Sequence, residues 1–262
     1  MWTIILVALA VYLLLRGGWK YISAPPALRA VTDLYKASQL TDGDVRKMAR
    51  KYAAWMDDRN GLLPDEDPYT QRLNNLSEGF LNRERYHLGV YKTEEINAFA
   101  CADGTIRVFS GLMDRMTDEE LLAIIGHEMG HIVHRDTLRA MSNACMASAV
   151  RHAVSAAGGA LGNLTGSMLG DFALKLTGAK FSRDQEYAAD DYAFRRTVQY
   201  GSDPFAVADA LDKLAALAAS PTQNGSIAVQ LGSMFSTHPD SAGRAARMRT
   251  RARNYLRRRE QN

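Results

Sequence analysis

From Thr117 to Val133 the apolar residues Leu121, Leu122, Ile124, Ile125, Met129, Ile132 and Val133 recur at helical spacing, and Thr117 with Glu120 writes a capping box ahead of them. The pattern predicts a helix that is largely buried. Ser182 with Gln185 is a second such opening and starts a helix within Phe181 to Tyr200. Upstream, Ala27 to Asn82 reads as helical. A first segment runs through Ser38, and a helix capped by Thr41 or Asp42 carries Val45, Met48, Ala49, Tyr52, Ala53 and Met56. A turn over Asn60 to Asp65 then leads into a helix from Tyr69 to Leu81. Between these blocks the period shortens. His87 to Tyr91, Ile96 to Cys101 and Thr105 to Phe109 predict strands, the last two forming a hairpin about Asp103-Gly104. The fold expected is α+β, predominantly helical, with a small antiparallel sheet beside the helix that begins at Thr117.

The two ends read differently. Trp2 to Leu15 is an apolar run, about 21 Å as helix, and continuing it through Trp19, Tyr21 and Ile22 gives about 31 Å, enough to span a bilayer. Arg16 and Lys20 can snorkel to the interface, and Ser23-Ala24-Pro25-Pro26 makes a poor cleavage site. Residues 1–24 therefore read as an uncleaved apolar membrane anchor, with a buried N-terminal helix as the alternative. Ala144 to Leu176 is rich in Ala, Gly, Ser and Met and reads as a mobile helical hairpin or lid before a second membrane insertion. Residues 240–262 form a basic helix. Its arginines read first as a solvated face, and beside a membrane they suit anionic headgroups.

Composition narrows the picture. At 262 residues, 47% hydrophobic and 23% charged, the chain has material for one large domain, residues 25–262, behind the anchor. A net charge of +3 is too small to imply nucleic-acid binding, and no aromatic stacking platform accompanies the arginines. Cys101 and Cys145 neither require nor forbid an oxidising compartment. Asp65, Glu66 and Asp67 read as a solvated loop rather than a calcium site.

The chemistry concentrates on the Thr117 helix, where His127, Glu128 and His131 spell H-E-x-x-H. Two imidazoles one turn apart can grip one metal ion, and a carboxylate next to the first can take a proton from metal-bound water. His134 can reach the same face but reads better as a last-turn residue favoured by the helix dipole. A catalytic zinc site needs a third protein ligand. Glu186 is the best remaining carboxylate, and Asp190 one turn on can hold a ligating imidazole by its other nitrogen. By spacing alone, both acids serve equally as surface charges answered by Arg183, Arg195 and Arg196.

Four stretches, NAFACADGTIRVFSGLM, TDEELLAIIGHEMGHIVHRD, FSRDQEYAADDYA and STHPDSAGR, occur in an order that resembles the gluzincin zinc metallopeptidases of the HtpX, CAAX prenyl protease and LoiP type. The resemblance covers about Ser38 to Arg251. It implies one zinc ion per subunit held by His127, His131 and Glu186, with Glu128 as base and Asp190 behind a ligand. It implies that the strand Ile106, Arg107, Val108, Phe109 and Ser110 borders the cleft and takes an extended substrate as an added strand. His238, Pro239 and Arg244 are similar to the family's H-P-x-x-x-x-R element. This places His238 either on the oxyanion or in the open zinc position of a latent state, with Arg244 as a second candidate for the oxyanion.

The expected activity is zinc-dependent endopeptidase cleavage of misfolded or membrane-associated proteins, a quality-control role, by an enzyme of the bacterial cell membrane. The charge rule puts the domain in the cytoplasm, whereas relatives of the LoiP type are periplasmic; the resemblance favours the periplasm. LoiP itself is a lipoprotein, and here an apolar run stands in place of the lipidated cysteine. The expected partners are extended or unfolded polypeptide, the membrane through the N-terminal helix and the basic C-terminal helix, and no nucleic acid. The alternative is a membrane-tethered chaperone or assembly factor with a latent zinc site.

Overall fold

The computed structural model describes residues 40–157, 176, 179–219 and 237–261. The chain divides into two units. Residues 40–148 and 163–262 form the larger; of the smaller, 1–39 and 149–162, only the end of one helix is described. The apolar N-terminal run and most of the glycine-rich half of the proposed hairpin lie outside the described residues. Among those described, no helix is long and apolar enough to cross a membrane.

Helix α1 (Asp42–Asn60) is capped by Thr41, whose hydroxyl accepts from the Asp44 backbone N–H while the Asp44 carboxylate accepts from that of Thr41. Gly61 ends it in the left-handed region, φ 68°. Helix α2 (Pro68–Ser77) starts with Asp67 as cap and proline in its first turn, so Asp67 of the acidic loop is a capping residue. Strands β1 (His87–Tyr91), β2 (Ala98–Ala100) and β3 (Thr105–Phe109) follow, with Gly104 at φ 99° in the β2–β3 turn. Then come the short α3 (Ser110–Met113), α4 (Asp118–Val133), α5 (Asp136–Ala157), α6 (Arg183–Tyr200), α7 (Ala206–Ala219) and α8 (Ser241–Glu260). The first part of the stretch read as a hairpin, from Ala144, is thus a continuation of α5.

The sheet departs from expectation. Its order is β1-β3-β2, and it is mixed: β2 pairs antiparallel with β3 as the Asp-Gly turn requires, but β1 runs parallel to β3, His87 opposite Thr105 through Tyr91 opposite Phe109. Strand β3 is buried at every residue, so its backbone needs partners along both edges, and β1 supplies the second. The strand expected to receive substrate is therefore the central one. Ile106 and Val108 are core residues. Arg107 is locked in a two-pronged ion pair, Nε and Nη2 at 2.8 and 2.9 Å from the Asp57 carboxylate of α1, and Ser110 exchanges hydrogen bonds with the Thr93 backbone. Of the five residues, Phe109 alone lines the apolar cleft on the Glu128 side of α4.

Two apolar clusters support the architecture. One joins the sheet to α4, α6, α7 and α8; the other packs Val45, Ala49 and Tyr52 of α1 against Leu138, Met141 and Ala144 of α5. Helix α4 is buried without interruption from Glu120 to Ile132, as an all-round apolar helix must be. It lies against α6 at very short range. A Cβ added to Gly130 would come to 2.7 Å from the Ala189 Cα, and one added to Gly126 to 3.2 Å from the Ala193 Cα. Small residues at matching four-residue intervals bring the two backbones together, and this brings His127 and His131 within reach of Glu186 and Asp190.

The arginines of α8 divide along its length. Arg244 is buried; Arg247 and Arg251 pair with Asp191, and Arg249 with Asp209 and Asp212. Only Arg253, Arg257, Arg258 and Arg259 fit the expectation of a solvated face.

Candidate metal centre

The helix α4 capping box and its apolar surroundings fix both histidines on its inner face. His131 is fully buried and His127 nearly so. Across the α4–α6 contact, Asp190 Oδ1 lies 2.9 Å from His127 Nδ1. A carboxylate only accepts, so Nδ1 carries the proton and Nε2 presents a lone pair. His131 is set the same way: its Nδ1 donates to Asp136 Oδ2 at 3.1 Å. The two Nε2 atoms then face each other at 3.0 Å, with Glu186 oxygens 3.5 Å from His127 Nε2 and 3.4 Å from His131 Nε2. His238 enters from the segment before α8, its Nδ1 3.2 Å from His127 Nε2 and 3.0 Å from Glu186 Oε1.

Such a set of acceptors is repulsive until a cation sits among them. One atom from each of His127, His131, Glu186 and His238 can be chosen so that all four lie within 4.8 Å of one another. Tetrahedral bonds of about 2.0–2.1 Å hold ligand atoms about 3.3 Å apart, and the 3.0–3.5 Å contacts among these groups, made with both Glu186 oxygens, lie near that spacing. The donor set fits a divalent metal of borderline softness.

The electrostatics point the same way. Burial and the Arg244 guanidinium push His127 towards the neutral form, yet Asp190 and Glu186 outweigh them and hold its pKa up to about 9; with no ion among the acceptors a proton is drawn onto the ring, and a bound metal would displace it from Nε2. Burial pushes the Glu186 carboxyl up, but His238 above all, together with the His127 and His131 rings beside it, holds it well below the usual carboxylate range. Asp190 is likewise held low, chiefly against burial and by Arg244 and His127. Glu128 is the exception: burial raises its pKa against the pull of His238 and His127. Its Oε1 is buried without a hydrogen-bond partner and lies 3.7 Å from His238 Nε2.

Arg244 does not reach an oxyanion position in this arrangement. Its Nε and Nη2 lie 2.9 and 2.6 Å from the two Asp190 oxygens, and Nη1 pairs with Glu186. The guanidinium, 2% exposed, is spent on holding the two acids of α6, which makes it a positioning group. His134 is the C-cap of α4, its ring 6.3 Å from that of Tyr192, and it is not part of the cluster.

Two participants carried no signal of their own. Asp136 follows Arg135, whose φ of 64° reverses the chain at the end of α4 so that the first residue of α5 points back at His131. That position holds no glycine to advertise the turn. Phe181 stacks on the His131 ring at 4.0 Å and 16°, and its backbone N–H donates to the Thr237 carbonyl beside His238.

A cleft of about 280 Å³ opens on the Glu128 side, lined by Asn97 to Cys101, Phe109, Met141, Phe181 and His238 among others. It is mainly apolar, and β2, the edge strand, borders it. Residues 70–252 match the family described as Peptidase family M48. The chain belongs to peptidase family M48. Its M48 relatives include metalloprotease LoiP of Escherichia coli, 36% identical over 94% of this chain and 95% of that protein. Metalloprotease YcaL of the same organism is 35% identical over 86% of each chain. A protease HtpX homolog of Thermococcus sibiricus is 30% identical over 64% of this chain and 68% of its own. The matched span runs from α2 into α8 and so contains every residue of the cluster, from His127 on α4 to Arg244 on α8.

Proposed function

We propose that this M48 chain is a zinc-dependent metalloendopeptidase that cuts extended segments of misfolded or membrane-associated polypeptides. The observation that carries the reading is the meeting of His127, His131 and Glu186 around one point, with the unpartnered oxygen of Glu128 beside an apolar cleft. These three residues would hold the ion; Asp190 and Asp136 orient the imidazoles, and Arg244 orients Glu186. When bound, zinc polarises a carbonyl and brings the pKa of bound water to about 7. Glu128 takes the proton of the attacking water and passes it to the leaving amine. Its raised proton affinity suits both halves of that transfer. An extended substrate adds to the edge of β2, not to β3, because β3 is paired on both sides.

Replacing Glu128 by Gln is expected to keep zinc and abolish chelator-sensitive cleavage of unfolded casein, whereas Glu186→Ala loses both. Undiminished casein cleavage by Glu128→Gln protein would overturn the assignment. The proposed setting is the bacterial cell membrane, with residues 1–24 as anchor and the domain on the periplasmic side, in a quality-control role; protease accessibility of the C-terminus in intact cells against spheroplasts tests the side.

One observation favours a second reading. His238 completes a set of four protein groups, the arrangement of a closed site with no position left for water. A membrane-tethered chaperone or assembly factor with a latent zinc site would bind unfolded chains without turning them over. Alternatively His238 leaves the set when substrate enters and then steadies the oxyanion. Chelator-sensitive turnover separates the two.

A further inference from the structure

We infer that Gln185 is a positioning residue for the metal centre, acting on His131 through Asp136, and that this is why the capping box of α6 holds glutamine and not glutamate. A capping box accepts either residue at its third position, because all it needs there is a side-chain oxygen. Here Gln185 Oε1 supplies it, accepting from the Ser182 backbone N–H at 2.8 Å, while Ser182 Oγ accepts from the Gln185 N–H. That leaves the amide group free, and Nε2 donates to Asp136 Oδ1 at 2.8 Å. The other oxygen of Asp136 takes the His131 Nδ1 proton.

One side chain thus joins the first turn of α6, the turn that presents Glu186, to the carboxylate that fixes the His131 tautomer. Asp136 is 2% exposed and starts α5 directly after a left-handed residue, so its orientation depends on what it is bonded to. Glutamate in place of Gln185 preserves the cap and sets a carboxylate against a carboxylate at hydrogen-bond distance. Carboxylates behind metal-bound histidines commonly govern affinity by about 10–100-fold when removed. Gln185 governs one such carboxylate from a position that touches neither metal nor substrate.

The inference rests on the reading of the cluster as a zinc site, and the test separates the two. Zinc affinity of the full chain is measured at pH 8 by competition with a chromogenic chelator, with the ligand-field bands of the cobalt(II)-loaded protein and the thermal midpoint of the metal-free protein recorded alongside. Gln185→Glu is expected to weaken zinc about tenfold or more and shift the cobalt bands while leaving the metal-free midpoint within about 2 °C. Gln185→Ala weakens zinc less but lowers the midpoint, since the cap is lost. Ser182→Ala lowers the midpoint by about 2–4 °C and leaves zinc affinity within about twofold. The crossed ranking, with Glu worst for metal and Ala worst for stability, is what a purely structural role does not produce. Gln185→Glu protein that folds and binds zinc as the wild type does overturns the relay while leaving the metal site standing. Wild-type protein that binds no zinc overturns the metal-site reading itself.

Discussion

Substituting Gly130 by Ala tests whether helix spacing sets the ligand geometry. The new methyl carbon falls 2.7 Å from the Ala189 Cα and 3.0 Å from its carbonyl oxygen, against about 3.4 Å for an ordinary tight contact. Because the obstacle is backbone, no rotamer change relieves it, and α4 and α6 must separate by roughly 0.7 Å, the shortfall of 2.7 Å from about 3.4 Å. Metal–ligand distances tolerate about 0.2 Å. His131 on one helix and Glu186 on the other could not then both reach one ion. Overpacking costs about 1–3 kcal/mol and alanine in a helix returns about 1 kcal/mol, so the metal-free protein loses about 0–2 kcal/mol. Zinc affinity is expected to fall about 10–100-fold, equivalent to roughly 1.4–2.8 kcal/mol. Chelator competition reads the affinity, and thermal unfolding followed by circular dichroism reads the metal-free stability. Gly126→Ala, with 3.2 Å to the Ala193 Cα, should show the same effect at smaller size. Wild-type zinc affinity in folded Gly130→Ala protein, or a larger loss at Gly126, would refute the reasoning from helix spacing.

Other outcomes follow from the ion pairs. Arg244→Met leaves Asp190 and Glu186 buried without their shared partner and should destabilise the protein by about 3–5 kcal/mol, measurable by urea unfolding. Burial pushes the Asp57 carboxyl up, but hydrogen bonds from Arg107 and Tyr91 hold it below its ordinary 3.8. A depressed folded-state pKa stabilises above the unfolded value and is lost as pH falls through the folded one, so Asp57→Asn should flatten the acid limb of the stability profile below about pH 4. An unchanged limb would show that other carboxylates control it. Removing zinc with a chelator should lower the thermal midpoint, by an amount corresponding to about 4 kcal/mol if the free ion stood at a thousand times its Kd. The protein without residues 1–24 should bind anionic vesicles through Arg253, Arg257, Arg258 and Arg259, each contributing up to about 1 kcal/mol, and release them at high salt. Equal binding at low and high salt would count against that contact.

The local elements were legible because their causes are local. Capping boxes at Thr117 and Ser182 start helices whatever surrounds them, and the first and third predicted strands form as expected while the second, expected over Ile96 to Cys101, forms over Ala98–Ala100 and keeps the Asp103-Gly104 hairpin. His127, His131 and Glu186 were nameable because one turn of helix places two imidazoles on one face, and because a motif resemblance nominated the distant acid. Tertiary structure decided the rest. A parallel pairing has no turn to announce it, so only the burial of β3 on both edges revealed β1 as its neighbour and moved the accessible edge to β2. The role of Arg244 also depended on distance in space: a guanidinium lying between two acids of another helix is already satisfied. Asp136 entered the site through a left-handed Arg135, a conformation that an ordinary side chain adopts only when its surroundings impose it. Residue type and spacing thus determined which groups can bind a metal, and the close contact of α4 with α6 determined that they meet.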